Sequence, residues 1–181
     1  MKPLTNIIRC IPLWILLFIS CNKEKLLPPA TQTGANTFGC LVDGKAWIPT
    51  GSSSLFVSIN PTSGGFYRNV DRSLNIYIRA YGDKERMHIF LKHATTPGTY
   101  YLNQTTDAMP GAIFPESYGL FSNRDPQGEF ITDAQHTGVV NITYADTSKK
   151  IVSGNFEMTV FQKSTGKTKR ITKGRFDYKT H

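Results

Sequence analysis

Leu74-Asn-Ile-Tyr-Ile-Arg-Ala-Tyr81, Gly82-Asp-Lys-Glu85 and Arg86-Met-His-Ile-Phe-Leu91 form the stretch that decides the fold. Leu74, Ile76, Ile78 and Ala80 alternate with Asn75, Tyr77, Arg79 and Tyr81. After a Gly-Asp turn, Met87, Ile89 and Leu91 alternate with His88, Phe90 and Lys92. A period of two places one set of side chains on one face, so this is a β-hairpin with an apolar side. The same period recurs in Val140, Ile142 and Tyr144 and in Phe156, Met158 and Val160, with Glu157 and Thr159 opposite. No run carries the 3.6-residue apolar stripe of a helix.

Working outward, turn chemistry punctuates these runs at Asp43-Gly44, Pro61–Gly65, Gly82-Asp83, Pro97-Gly98, Asp133–Gly138, Asp146–Lys150 and Ser164–Lys167. Such spacing predicts an all-β domain over residues 37–181, an antiparallel β-sandwich or barrel of about ten short strands. Ile171 and Phe176 are an odd number apart, so both reach one core only through a bulge, expected at Gly174. The longest stretch without strand pattern is Asn103–Gln127, read as a loop.

The N-terminus reads as an address. Lys2 and Arg9 precede an eleven-residue apolar run, Cys10–Ser20, broken by Pro12. A spanning helix takes about 20 apolar residues, so residues 1–20 match an export signal instead. Phe18-Ile-Ser-Cys21 resembles a bacterial lipobox, with Phe18 where leucine is usual, a departure common among Bacteroidota lipoproteins. The resemblance implies cleavage before Cys21 and acylation of Cys21, hence membrane attachment through lipid at the cell envelope, most simply the outer membrane; the side exposed is left open. Residues 21–36, with Pro28-Pro29 and Gly34, read as a flexible tether spanning roughly 20 Å. Cys40 would then be the one thiol left, so no intramolecular disulfide is expected.

The opening Asn36-Thr-Phe-Gly-Cys-Leu-Val-Asp-Gly-Lys-Ala-Trp-Ile-Pro49 resembles the start of a domain family of unassigned function found in small Bacteroidota lipoproteins. The closing Ile151-Val-Ser-Gly-Asn-Phe-Glu-Met-Thr-Val160 and Ile171-Thr-Lys-Gly-Arg-Phe-Asp177 resemble its end. The resemblance implies a small all-β envelope lipoprotein and brings no catalytic residues with it.

Charge and motifs narrow the chemistry. The chain has 21 basic and 13 acidic residues, a net +8. Residues 22–148 hold ten basic and eleven acidic residues, whereas residues 149–181 hold nine and two. Lys167, Lys169, Arg170 and Arg175 are either the solvated surface of a hairpin or candidate contacts for an anionic lipid or glycan surface. An export signal excludes nucleic acid as partner. No HExxH, HxH or GxSxG occurs, and Gly166-Lys167-Thr168 lacks the first glycine of a phosphate loop, so no metal, cofactor or catalytic residue is expected. Asn123–Gly128 echoes a calcium loop but has Ala134 where the bidentate glutamate belongs. In the 103–127 loop, Phe114, Tyr118, Phe121 and Arg124 are candidate contacts for a glycan or protein ligand; the alternative is that the loop's aromatic residues fold back to cap an open end of the β core. The leading expectation is a non-enzymatic, lipid-anchored binding protein. One alternative is a glycan or peptide hydrolase using Glu116, Asp125 or Glu129; another is a structural component associating through a sheet edge.

Overall fold

A computed structural model describes residues 24–53, 58–104, 116–124 and 127–180. Thirteen strands are present among them: β1 (Thr37–Val42), β2 (Lys45–Trp47), β3 (Ser52–Ser53), β4 (Ser58–Ile59), β5 (Thr62–Arg68), β6 (Leu74–Tyr81), β7 (Glu85–Leu91), β8 (Gly98–Leu102), β9 (Tyr118–Arg124), β10 (Gln127–Ile131), β11 (Gly138–Asp146), β12 (Ile151–Gln162) and β13 (Lys167–Lys179). A 3₁₀ turn at Glu24–Leu26 is the one helical element among the described residues. No helix there is long and apolar enough to cross a membrane.

Eleven strands form one antiparallel sheet, in which β2-β1-β13-β12-β10-β9-β7-β6-β5 run in order. Along most of its length β12 pairs with β11, which pairs with β8; near its end it pairs with β10 through Phe161 and Ile131. The sheet therefore branches at β12 and curls into a barrel-like half, as the all-β expectation required. The expected hairpin is β6–β7, with Ile78 opposite Ile89 and Ala80 opposite Met87. Its apolar side enters one interior with Phe38, Phe121, Val140, Phe156, Ile171 and Phe176, all at most 3% exposed. Trp47 bridges that interior, edge-on to Phe38 at 5.9 Å and to Phe121 at 6.0 Å. Tyr178 donates its hydroxyl to the Arg79 carbonyl at 3.0 Å, tying β13 to β6.

Five expectations change. Pro61–Gly65 is not a turn: Thr62–Gly65 already pair with Ala80–Tyr77 as the start of β5. A Cβ on Gly65 would collide with Thr180 Oγ1, so glycine there lets β5 approach the end of β13. The 103–127 loop ends sooner than its sequence suggested, because β9 starts at Tyr118 and β10 at Gln127. Tyr118–Ser122 are buried on both faces, which erases the alternation by which a half-exposed strand is recognised.

The bulge in β13 falls one residue before Gly174. Gly174 faces Phe156 and Ile171 faces Met158, so Thr172 and Lys173 together oppose Glu157, and Lys173 takes the positive φ of 55°. Gly174 is needed for another reason: the Phe156 ring lies over it, where a Cβ would sit. A second bulge between Ile142 and Tyr144 brings Ala145, not Tyr144, against the core.

The largest change concerns the tether. Residues 27–36 form no free coil but a strap laid on the outer side of β1 and β13. Leu27 is 7% exposed, and with Pro28 it packs over Gly39. The Asp177 carboxylate then accepts the Thr31 hydroxyl at 2.7 Å and the backbone N–H groups of Thr33 at 3.0 Å, Gly34 at 2.9 Å and Ala35 at 3.1 Å. Ser153 on β12 adds its hydroxyl at 2.7 Å. Consecutive N–H groups converging on a carboxylate form an anion nest, and here the anion belongs to the protein's own sheet.

Candidate functional site

The outward side chains of β8, β11, β12 and β13 follow from the inward ones. With Leu102, Val140, Ile142, Phe156, Met158 and Ile171 in the core, the pleat turns Tyr101, Val139, Asn141, Asn155, Glu157, Thr159 and Arg170 outward. Register sets them in rows. Thr99, Asn141, Asn155 and Arg175 line up across four strands. Thr99 donates its hydroxyl to Asn141 Oδ1 at 2.8 Å, and Asn141 Nδ2 donates to Asn155 Oδ1 at 3.3 Å. The next row is Tyr101, Val139 and Glu157, closed by the bulged Thr172-Lys173; beyond it Thr159 faces Arg170. At about 4.8 Å per strand these rows cover about 14 Å, room for a short oligosaccharide.

Two open, shallow hollows lie on this face. A cleft of about 290 Å³ lies among Tyr101, Val139, Glu157, Thr159, Arg170 and Thr172. A second hollow of about 490 Å³ shares Glu157, Arg170 and Thr172 and extends to Asp43, Gly44 and Lys173. Tyr101 stands 63% exposed at one rim. At the other, Arg170 is fixed by its backbone: its N–H donates to Asp43 Oδ1, and its carbonyl accepts the Asp43 N–H, both at 2.8 Å. Lys173 pairs with Glu24, in the 3₁₀ turn just ahead of the strap, at 3.0 Å, and this hydrogen bond raises the lysine pKa. Chemically, an exposed aromatic ring can pack on sugar C–H groups, and an arginine, a carboxylate and hydroxyls can exchange hydrogen bonds with sugar hydroxyls.

Two of the anticipated residues, Arg170 and Arg175, fall on this face. Lys167 is exposed at the end of the β12–β13 hairpin. Lys169 points the other way: it opposes Val160 and lies over the Phe121 and Phe130 rings at 5.5 and 5.3 Å, with Asp43 at 3.6 Å. It caps the core rather than offering charge to a surface. Cys21, Phe114 and Asp125 lie outside the described residues.

Tyr118, Phe121 and Arg124 do not converge. Phe121 is a core residue, 1% exposed. Tyr118 faces the opposite side of β9, stacked on Phe90 at 5.9 Å beside Leu120, Tyr77 and Ile131. Arg124 is exposed at the strand end. Glu116 is paired with Lys92 at 2.6 Å and Glu129 with Arg86 at 3.0 Å. On the Tyr118 side, His88 sits edge-on to Tyr77 and Tyr81. Its Nδ1 is 3.1 Å from the Tyr77 hydroxyl, while its buried Nε2 has no hydrogen-bond partner. Burial, with Arg86 and Arg79 nearby, pushes its pKa down to about 4.

Among the described residues no three histidine, cysteine or acidic side chains cluster as a metal site. Burial, aided by the Glu85 charge, raises the Cys40 thiol far above the ordinary range, which leaves it an unreactive core residue.

A family model described as a domain of unknown function, DUF6252, matches residues 62–178, well over half of the 181-residue chain. The chain belongs to the DUF6252 family. The match opens with β5 and closes within β13, so the DUF6252 span contains β8, β11, β12 and nearly all of β13, and with them the first cleft, whereas the second hollow reaches outside it to Asp43 and Gly44. It also contains the closing segments Ile151–Val160 and Ile171–Asp177, whereas the opening Asn36–Pro49 precedes it. No curated protein and no solved structure matches the chain. Tyr101, Asn155, Glu157 and Thr159 were not singled out from sequence. Their polar alternation is visible there; the pairing that gathers them is not.

Proposed function

We propose that this DUF6252 protein is a non-enzymatic lipoprotein of the cell envelope, of the small Bacteroidota kind. Cys21 carries its lipid anchor in the outer membrane, and the β domain binds a saccharide on the outer face of β8, β11, β12 and β13. The observation that carries the reading is the row structure of that face: Tyr101, Glu157, Thr159 and Arg170 surround one cleft within the family's matched span. Anchoring is supported by the charged start, the eleven-residue apolar run and Phe18-Ile-Ser-Cys21. Acyl chains on one cysteine contribute roughly 0.8 kcal/mol per buried CH₂, so several together hold a protein stably.

An array of envelope glycans probed with the purified mature chain tests the binding. Tyr101→Ala and Arg170→Ala should each weaken capture by about tenfold, the scale of one aromatic packing surface or one charged hydrogen bond. Both side chains are exposed, so the melting temperature should stay unchanged. Capture unaffected by either substitution would refute the site.

A further inference from the structure

The strap determines how far the domain stands from its anchor. A free chain from Cys21 to Thr37 could extend to about 55 Å, at about 3.5 Å per residue. With Leu27 buried against Gly39 and Glu24–Leu26 wound as a 3₁₀ turn, the greatest span from Cys21 to this attachment falls below about 20 Å. Glu24 at Lys173 holds the turn just ahead of the strap at the border of the second hollow. The chain thus leaves the domain from the polar face itself, not from an end of the barrel.

We propose that the strap holds this face against the lipid surface, and that its ligand is the anionic saccharide headgroup of a lipid in the same membrane. The inference rests on reading Cys21 as acylated and names the ligand of the face proposed above. Arg170, Arg175 and the exposed Lys25 supply positive charge where the chain enters the membrane, and each such charge near an anionic surface is worth about a fivefold gain in association. Tyr101, Thr159 and Glu157 supply sugar contacts that a bare phosphate would not use. A soluble glycan would need no short link, whereas a headgroup must lie within the reach the strap leaves.

Full-length acylated protein in phosphatidylcholine vesicles containing glucuronosyl diacylglycerol, glucosyl diacylglycerol or phosphatidylglycerol tests this. Arg170 and Arg175 are footprinted with phenylglyoxal, with Arg124 as the control. Glucuronosyl vesicles should slow modification of Arg170 and Arg175 about fivefold relative to phosphatidylcholine alone, and the other two lipids less. Free glucuronate at the same total concentration should give no protection. Equal rates on glucuronosyl and plain vesicles overturn the proposal, as does equal protection by the free sugar.

Asp177→Asn and the milder Thr31→Val release the strap. Protection should fall in whichever variant shows faster amide exchange at Gly34 and Ala35 with a native melting transition. Unchanged protection in a released, folded variant defeats the role of the strap. Intact mass separates the two readings: a chain without acyl groups defeats the anchoring, whereas an acylated chain with an unprotected face defeats only this inference.

Discussion

Asp177 shows how one carboxylate can decide what a segment does. Burial alone would raise its pKa from the ordinary 3.8, but the Ser153 and Thr31 hydroxyls and the Ala35 and Gly34 N–H groups outweigh that and bring it to about 2. A depressed carboxylate stabilises the fold above its unfolded pKa and loses that contribution as pH falls from about 4 through 2. Protection of the Gly34 and Ala35 amides, relative to their intrinsic exchange rates, should therefore fall in that window, and Asp177→Asn should already show low protection at pH 7. His88 has the opposite charge logic. Kept neutral in the fold down to about pH 4, it costs stability as the unfolded chain gains a proton below 6.5. Melting temperatures recorded from pH 7 to pH 4.5 should fall, and His88→Phe should flatten part of that decline. Phe121→Ala should cost roughly 3–5 kcal/mol in chemical unfolding, as for any large buried ring; a cost below 1 kcal/mol would contradict its place in the core.

At the level of elements, what could be read from sequence depended on burial. β6, β7 and the second half of β12 alternate aliphatic residues with polar or aromatic ones, so their alternation identified both the strands and their inward residues, even though Phe90 on the other face of β7 is itself buried. β9 is dry on both faces through Tyr118–Ser122 and gave no such signal; its aromatic residues therefore read equally as ligand contacts or as a cap on the core, and burial of Tyr118 and Phe121 decides for packing. The bulge in β13 was required by the odd spacing of Ile171 and Phe176, but Gly174 invited the wrong position. Lys173 bears the strained φ, and Gly174 accommodates Phe156. Gly174→Val should thus destabilise by about 1–3 kcal/mol through overpacking against that ring. Lys173→Gly should be neutral or slightly stabilising, because glycine adopts φ of 55° without a Cβ penalty. The strap was misread because Pro28-Pro29 and Gly34 are linker residues by composition, and only the fold reveals that Asp177, far along the chain, receives their neighbours.

For the whole molecule, sequence carried the fold class and the cationic C-terminal region but not the site, because the site is a product of register. Arg170 and Arg175 became meaningful once β8 and β11 were placed beside β12, bringing Tyr101 and Asn141 into the same rows. The most direct test of the central claim is ¹H–¹⁵N chemical-shift mapping of the mature chain titrated with the tightest-binding oligosaccharide from the array. The account predicts perturbations confined to Tyr101, Val139, Glu157, Thr159, Arg170 and Thr172 and their immediate neighbours. Perturbations centred on Tyr77, Phe90 and Tyr118 instead, or none at saturating sugar, would contradict it.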